Sequence, residues 1–378
     1  MINHVKKHIV FAITRSDSVG GAQIHVRDLS LYCKEKGFKV TIISGEGNFF
    51  DPLKNQGINL IKLSFLNRSL NLIFDSFAVL KLNRIIKTIK PDILSTHSSK
   101  AGALIRISSL LSFKYPPIIF TAHGWSFATG KNFLSILIFS FIERFLAFST
   151  EKLITVCETD LKLGLEYKIC NPNKLLCIHN GMHYYPSIIK KKNSKFRNVR
   201  LISIARFQNQ KDHFTLLKGL SKIRKTNWEL TLIGDGPLKD KIISYAINLN
   251  ILNKIKFISN TNDTKTYLDE SDIYLLISNW EGFPRSIIEA LRSSLPIIAS
   301  NVGGVLESVV ENHNGFLIEP LDYKKIASSI EKLSQNPKLF NNFSKNSRNL
   351  FDEKYQFIYM ARKTLKLYYS IIDKSQKK

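Results

Sequence analysis

The sequence predicts an α/β protein made of two successive Rossmann-like series of strands and helices. Three observations predict it. Short apolar runs alternate with longer stretches whose apolar residues recur at helical spacing, as in parallel strands joined by crossover helices. Those runs end repeatedly in glycine or charged residues, the composition of binding loops at the carboxyl edge of an α/β sheet. A polar stretch near the middle, Ile188 to Arg200 with Lys190-Lys191-Lys192, separates two halves that each restart on a strand. The expected domains are 1–185, 186–355, and a C-terminal helix with a basic tail over 356–378.

In the first half, His8 to Thr14 is a strand. It opens into Arg15-Ser16-Asp17-Ser18-Val19-Gly20-Gly21 and a helix from Ala22 to Lys36. Glycine lets a backbone come close to a phosphate, so Gly20 and Gly21 are candidate binding residues. The loop has no G-x-G-x-x-G, which counts against a dinucleotide-binding domain. Lys39–Ser44 and Ile58–Leu63 are strands. A helix from Asn71 to Lys90 presents Leu82, Ile85, Ile86 and Ile89 on one face, and Pro91 ends it. Asp92–Thr96 is a strand that delivers His97 and Lys100, with a helix to Leu111. Ile118–Thr121 delivers His123 and Gly124. A histidine at a strand end beside a glycine can approach a reacting group, and His123 is preferred over His97 for the more important role. Phe127 to Phe148 is apolar on several faces and reads first as a core helix. The sharper reading is an interfacial segment that meets a membrane. Lys152–Cys157 and Leu175–Ile178 are the last strands of this half, with a helix beginning at Glu158 between them.

The second half begins with the strand Arg200–Ala205. Arg206 and Lys211 follow it, two cations at a strand's carboxyl end that can neutralise a diphosphate. Leu230–Ile233 leads into Gly234-Asp235-Gly236-Pro237, and Lys254–Ile258 is another strand. Ile273–Ser278 then runs into Trp280-Glu281-Gly282-Phe283-Pro284-Arg285-Ser286-Ile287-Ile288-Glu289-Ala290-Leu291. Pro284 suits the first helical position, where its missing N–H is no loss. The helix N-terminus framed by Gly282, Phe283, Pro284 and Arg285 offers free N–H groups and positive dipole to a phosphate. Glu281 in the loop and Glu289 in the helix would repel that phosphate, but they can accept hydrogen bonds from ribose or sugar hydroxyls. Phosphate and sugar together point to a nucleotide sugar. Leu295–Ser300 is the next strand, Asn301-Val302-Gly303-Gly304 leaves it, and Tyr323 to Ser370 is helical.

Glu281-x7-Glu289 with Gly282 and Pro284 resembles the signature of the GT-B glycosyltransferases of family 4, and the surrounding wording resembles the bacterial surface-polysaccharide (O-antigen and capsule) members. The resemblance runs from Ile9 to Leu350. It implies two Rossmann-like domains facing across a deep cleft, the first binding the acceptor and the second the nucleotide sugar, with the last helix crossing back. It also implies retention of anomeric configuration. By resemblance, Glu281 contacts the donor sugar, Glu289 the ribose, and Arg206 and Lys211 the donor diphosphate. His123 lies by the reaction centre. Gly20, Gly21 and Gly234 lie near the donor, and His97 and Lys100 stand on the acceptor side. The donor implied is a UDP-sugar, with a hexose or N-acetylhexosamine, and the acceptor a saccharide on a polyprenyl diphosphate. Two departures stand out. Met182-His183 takes the places of a small apolar residue and an acid, and Ser294 stands where the family commonly has glycine.

Basic residues outnumber acidic ones by 55 to 30 in 378 residues, a formal charge of +25. Such an excess calls for an anionic partner, and an anionic inner-membrane surface fits a lipid-linked acceptor. Nucleic acid is the rival, but the lysines are scattered and no reader motif is present. A UDP-sugar epimerase on the same fold is the enzymatic rival. No signal peptide or spanning run is evident, and four cysteines without C-x-x-C read as free thiols, so the expected location is cytoplasmic and peripheral on the inner membrane face. Cys170, Cys177, His179 and His183 match no zinc spacing. The chain has no Asp-x-Asp, so the expected transfer uses no metal and no other cofactor.

Overall fold

A computed structural model of the chain describes residues 6–17, 19–67, 71–112, 114–128, 132–187, 189, 191, 192, 194, 195, 198–259, 261 and 263–376. Ser18, Lys190 and the last two residues of the basic tail lie outside them, as do the first five residues. The chain forms two compact units. One comprises Met1–Asn180 together with Met360–Lys378, the other Gly181–Tyr359.

The first unit runs β1 (His8–Ile13), α1 (Gly21–Glu35), β2 (Lys39–Ser44), β3 (Asn59–Lys62), α2 (Leu72–Ile89), β4 (Ile93–His97), α3 (Ser99–Ser109), β5 (Ile118–Ala122), α4 (Phe133–Leu146), β6 (Lys152–Thr155), α5 (Glu158–Glu166) and β7 (Leu175–Cys177). Its sheet has the order β3-β2-β1-β4-β5-β6-β7, with all pairs parallel. All six residues of β1 are buried, as a central strand covered on both faces requires. Leu82 and Ile86 of α2 join Val10 and Leu94 in one core layer, while Phe120, Trp125, Phe127 and Leu153 build another.

The second unit runs β8 (Asn198–Ile204), α6 (His213–Leu220), β9 (Asn227–Ile233), α7 (Lys239–Asn248), β10 (Ile255–Ile258), α8 (Thr264–Glu270), β11 (Ile273–Leu276), α9 (Arg285–Arg292), β12 (Ile297–Ser300), β13 (Gly315–Ile318), α10 (Tyr323–Gln335) and α11 (Pro337–Lys354). Its parallel sheet has the order β10-β9-β8-β11-β12-β13. The helical region after Tyr323 is three helices. Pro337 cannot continue α10, and the Asn336 side chain caps α11 by accepting from the Leu339 N–H at 3.1 Å. The last helix, α12 (Phe357–Gln376), joins the first unit from Met360 onward. There the Tyr368 hydroxyl lies 2.6 Å from Ser95 Oγ, and the rings of Tyr369 and Phe38 are 5.2 Å apart.

The core-helix reading of Phe127–Phe148 is overturned. Phe127 is buried beside Trp125, but the helix starts only at Phe133, where Asn132 caps it by accepting from Ser135 N at 2.9 Å. Phe133, Leu134, Phe141 and Phe145 are exposed, and the inward stripe is Ser140, Glu143 and Leu146. A run apolar on all faces reads as a buried helix. This one lies on the surface because its single acid is its inward anchor. Glu143 accepts a hydrogen bond from the fully buried Arg106 of α3 at 2.9 Å. Ser294 has φ +57°, in the left-handed region, which is the physical reason a glycine suits that position. No helix among the described residues is long and apolar enough to cross a membrane.

Candidate active site

In each sheet the strand order reverses once, between β1 and β4 in the first unit and between β8 and β11 in the second. Such reversals open a crevice at the strands' carboxyl ends. The chemistry-bearing residues gather at both.

In the second unit the segment after β8 folds back along the exit of β11. Asp212 N donates to the Ile277 carbonyl at 3.0 Å, Asn279 N to the Gln210 carbonyl at 2.8 Å, and Asn279 Nδ2 to the Asn209 carbonyl at 2.7 Å. This pairing brings Lys211 to Glu281, eight positions before Glu289. Lys211 Nζ and Glu281 Oε1 form a short ion pair, with side chains 13% and 5% exposed. Glu281 also accepts from Ser278 Oγ at 2.6 Å and Gln210 Nε2 at 3.4 Å. One more loop closes on this pair. Gly304 N donates to the Gly282 carbonyl at 2.9 Å, and Gly303, at φ +50°, lies so close to the Glu281 backbone that a side chain there would collide with its carbonyl. Gly234, after β9, likewise abuts the Ala205 carbonyl, next to the exposed Arg206.

Pro284 sits at the N-cap of α9, one position before the first helical residue predicted for it, because Arg285 is the first residue to take helical geometry. Among the described residues no side chain caps that helix. Phe283 is buried against Tyr355, with ring centroids 5.5 Å apart, which holds the Gly282–Pro284 bend. Glu289 is half-buried and accepts from Thr264 Oγ1 at 3.2 Å. Burial raises its pKa, against the opposing pull of Arg292 and Arg285. Tyr274 of β11 is buried close to both acids. Its hydroxyl is pushed up mainly by burial, with Glu289 and Glu281 adding to the rise.

In the first unit, Thr14 Oγ1 and Ser98 Oγ lie 2.6 Å apart across the strand reversal. Beside them His97 Nδ1 and His123 Nε2 are 3.1 Å apart, so the two predicted histidines meet. A third imidazole completes the group. His25 of α1 lies 4.9 Å from His123 and 5.3 Å from His97 between ring centroids, and its Nδ1 is 3.1 Å from Asn180 Oδ1. Burial and the neighbouring His25 and His123 keep the His97 pKa well below the usual histidine value. Gly20 stands at the N-cap of α1, accepting from Ile24 N at 3.0 Å, and Gly21 is the first helical residue. Lys100 is turned elsewhere. It pairs with Asp75 of α2 at 2.6 Å, both side chains largely buried, and reaches Asn67 at 3.4 Å.

The sequence reading missed His25, Ser95, Gln210 and Tyr368. For His25 a signal existed: it lies four residues after Gly21, one helical turn in from the strand end. The three imidazoles place nitrogen atoms within 4.8 Å of one another, a set that could hold a metal ion.

Two parallel-sheet units, each with polar groups at its strand reversal, and a last helix returning to the first define the GT-B class of glycosyltransferases. The chain carries two glycosyltransferase family domains: residues 19–183 match "Glycosyltransferase Family 4" and residues 186–350 match "Glycosyl transferases group 1". It is 28% identical over 360 residues to the "UDP-Gal:alpha-D-GlcNAc-diphosphoundecaprenol alpha-1,3-galactosyltransferase" of Escherichia coli, covering 91% of this chain and 89% of that protein. It is also 28% identical over 315 residues to the "O-antigen biosynthesis glycosyltransferase WbnH" of Escherichia coli, covering 83% and 86%. The fold matches the crystal structure of Anabaena HepE in complex with UDP and glucose, with a TM-score of 0.80 over 96% of this chain and 100% of that one, at 17% identity. The protein is a glycosyltransferase.

Proposed function

We propose that this enzyme moves a hexose or N-acetylhexosamine from a UDP-sugar to a polyprenyl-diphosphate-linked saccharide, with retention, in the synthesis of an O-antigen or capsule. The observation that carries the reading is the Lys211–Glu281 pair at the strand reversal of the second unit, beside the uncapped N-terminus of α9. Glycosyl transfer puts positive charge on the anomeric carbon and negative charge on the departing diphosphate. Lys211, Arg206 and the α9 N-terminus supply positive potential where that negative charge develops, without a metal. Glu281 holds Lys211 and accepts from a sugar hydroxyl, and Glu289 accepts from the ribose. Gly234, Gly282 and Phe283 to Arg285 shape the donor site. In the first unit, Gly20 and Gly21 approach the donor, His123 stands by the reacting sugar, and His97 faces the acceptor side. The galactosyltransferase relative is named for UDP-galactose and a diphosphoundecaprenol acceptor, and HepE binds UDP, which supports this choice of donor and acceptor.

The test is thermal stabilisation by UDP, GDP, ADP and NAD in metal-free buffer. UDP alone at 100 times its dissociation constant raises stability by about 2.7 kcal/mol. A shift by GDP or ADP in its place removes UDP from the reading, and no shift by any of them removes the nucleotide donor.

The same reading puts the protein on the inner face of the membrane, where its acceptor is anchored. Exposed apolar residues of α4, among them Phe133, Leu134 and Phe141, lie on a helix that packs on α3, whose other neighbour α2 exposes Ile73, Phe74 and Phe77. Exposed apolar surface on this scale, on a chain of charge +25, suits an anionic bilayer. The protein therefore co-sediments with phosphatidylglycerol vesicles at low ionic strength, and Phe141→Asp weakens that binding. Absence of binding at low salt removes the membrane from the reading.

A further inference from the structure

We propose that Gln210 is a specificity-determining residue for the donor: its side-chain amide and the Oε2 oxygen of Glu281 together hold one hydroxyl of the transferred sugar. The inference deepens the proposed function and rests on its reading of Glu281 as the acid that meets the donor sugar.

An ionised carboxylate offers about four lone-pair directions, two on each oxygen. On Glu281 both of those on Oε1 are filled. The Lys211 ammonium pairs with that oxygen, and Ser278 Oγ donates to it at 2.6 Å. Among the described residues the donor to Oε2 is Gln210 Nε2, at 3.4 Å, longer than an ordinary N–H···O bond. The two oxygens of this carboxylate, 5% exposed, are therefore unequal. Oε1 is committed to Lys211 and Ser278. Oε2 keeps room for a further donor.

Gln210 supplies the matching half. The Trp280 carbonyl, 2.9 Å from Nε2, and the Glu281 carboxylate can only accept, so the NH2 group must be the side of the amide that faces them. On its other side Gln210 Oε1 accepts from Gln208 Nε2 at 3.1 Å. An NH2 group carries two hydrogens. Trp280 takes one at good length, and the other reaches Oε2 only weakly. Two atoms 3.4 Å apart can each lie about 2.8 Å from a third. A hydroxyl oxygen in that place accepts the second N–H and donates its own hydrogen to Oε2. A sugar hydroxyl suits it because one atom both donates and accepts, whereas an ether oxygen only accepts. The arrangement also selects configuration. An epimer turns its hydroxyl away from both partners at once and leaves them facing carbon. Backbone bonds keep the two partners in place. Lys211 N donates to the Gln208 carbonyl at 2.9 Å, and Asn279 N to the Gln210 carbonyl at 2.8 Å.

The experiment is calorimetric titration of the full-length protein, with no acceptor present, so that binding is read without transfer. The ligands are UDP, the UDP-sugar bound best among UDP-glucose, UDP-galactose and their N-acetylhexosamine counterparts, and the monodeoxy analogues of that sugar. The proteins are wild type, Gln210→Ala and Gln210→Met. In the wild type one deoxy analogue binds about 10–100-fold more weakly than its parent, the scale of a lost hydrogen bond to a charged group. In both variants UDP binds as before, and the parent UDP-sugar binds roughly fivefold more weakly, the scale of one neutral hydrogen bond. The same deoxy analogue is then penalised less, so the two losses are not additive. Methionine keeps the length of the side chain without its donor, and unchanged UDP binding shows that each variant is folded. Equal loss of affinity for UDP and for the UDP-sugar makes Gln210 purely structural and overturns the proposal. Additive losses at every hydroxyl also overturn it. A wild type that binds no UDP removes the donor reading itself, a result obtained before any Gln210 variant is made.

Discussion

Lys211→Ala lowers kcat by about 10²–10³-fold, the loss seen when one preorganised group is removed from a developing negative charge. Two effects add. The cation nearest Glu281 disappears from a loop that backbone hydrogen bonds hold along β11. The Glu281 carboxylate, 5% exposed, then loses its counter-charge and, among the described residues, keeps Ser278 and Gln210, so it would repel the departing diphosphate of the proposed transfer. Glu289→Ala also costs orders of magnitude in turnover efficiency, but through the donor KM, since its assigned contact is to a part of the donor that does not react. Steady-state kinetics with a UDP-sugar and a lipid-linked acceptor check both. Near-normal turnover in the two variants together would remove the site assignment.

Glu143→Ala destabilises the first unit by about 3–5 kcal/mol, because it strands a buried guanidinium. Arg106 is fully buried, stacks 4.1 Å above the Phe120 ring, and gives Nε to the Gly102 carbonyl at 3.0 Å. Among the described residues its carboxylate partner is Glu143. For a unit of this size the loss lowers the melting temperature by roughly 10 °C. The double variant Glu143→Leu with Arg106→Met recovers much of it, since a buried pair exchanged for apolar groups of similar volume often costs nothing. Calorimetry of the three proteins decides the matter. A single variant that melts like the wild type would show that the pair does not hold α4.

The parts of this molecule that were legible in the sequence are those governed by local rules. The strands and the glycines that follow them are set by residue type within a few positions, so the loops carrying Lys211, Glu281, His97 and His123 can be placed from residue order alone. Ser294 was visible as a departure, and its positive φ supplies the reason. What escaped depends on partners distant in the chain. Lys100 read as a loop cation facing substrate, yet Asp75 claims it from another helix. Glu143 lies in a run that read as a core helix, yet Arg106, 37 residues away, makes it the inward anchor of a surface helix. Tyr368 lies 273 residues from Ser95, and no spacing rule connects them.

The path of the chain has a consequence for biosynthesis. The second unit is continuous, but the first takes both an early and a late stretch of sequence. A growing polypeptide can therefore close the second unit while the first still lacks its final helix. The histidine cluster of the first unit acquires Tyr368 only when translation has passed well beyond the loops of the second unit. A nascent or prematurely ended chain would hold a finished second unit and a first unit without its last helix, so the order of synthesis itself delays completion of the first unit until α12 has been made.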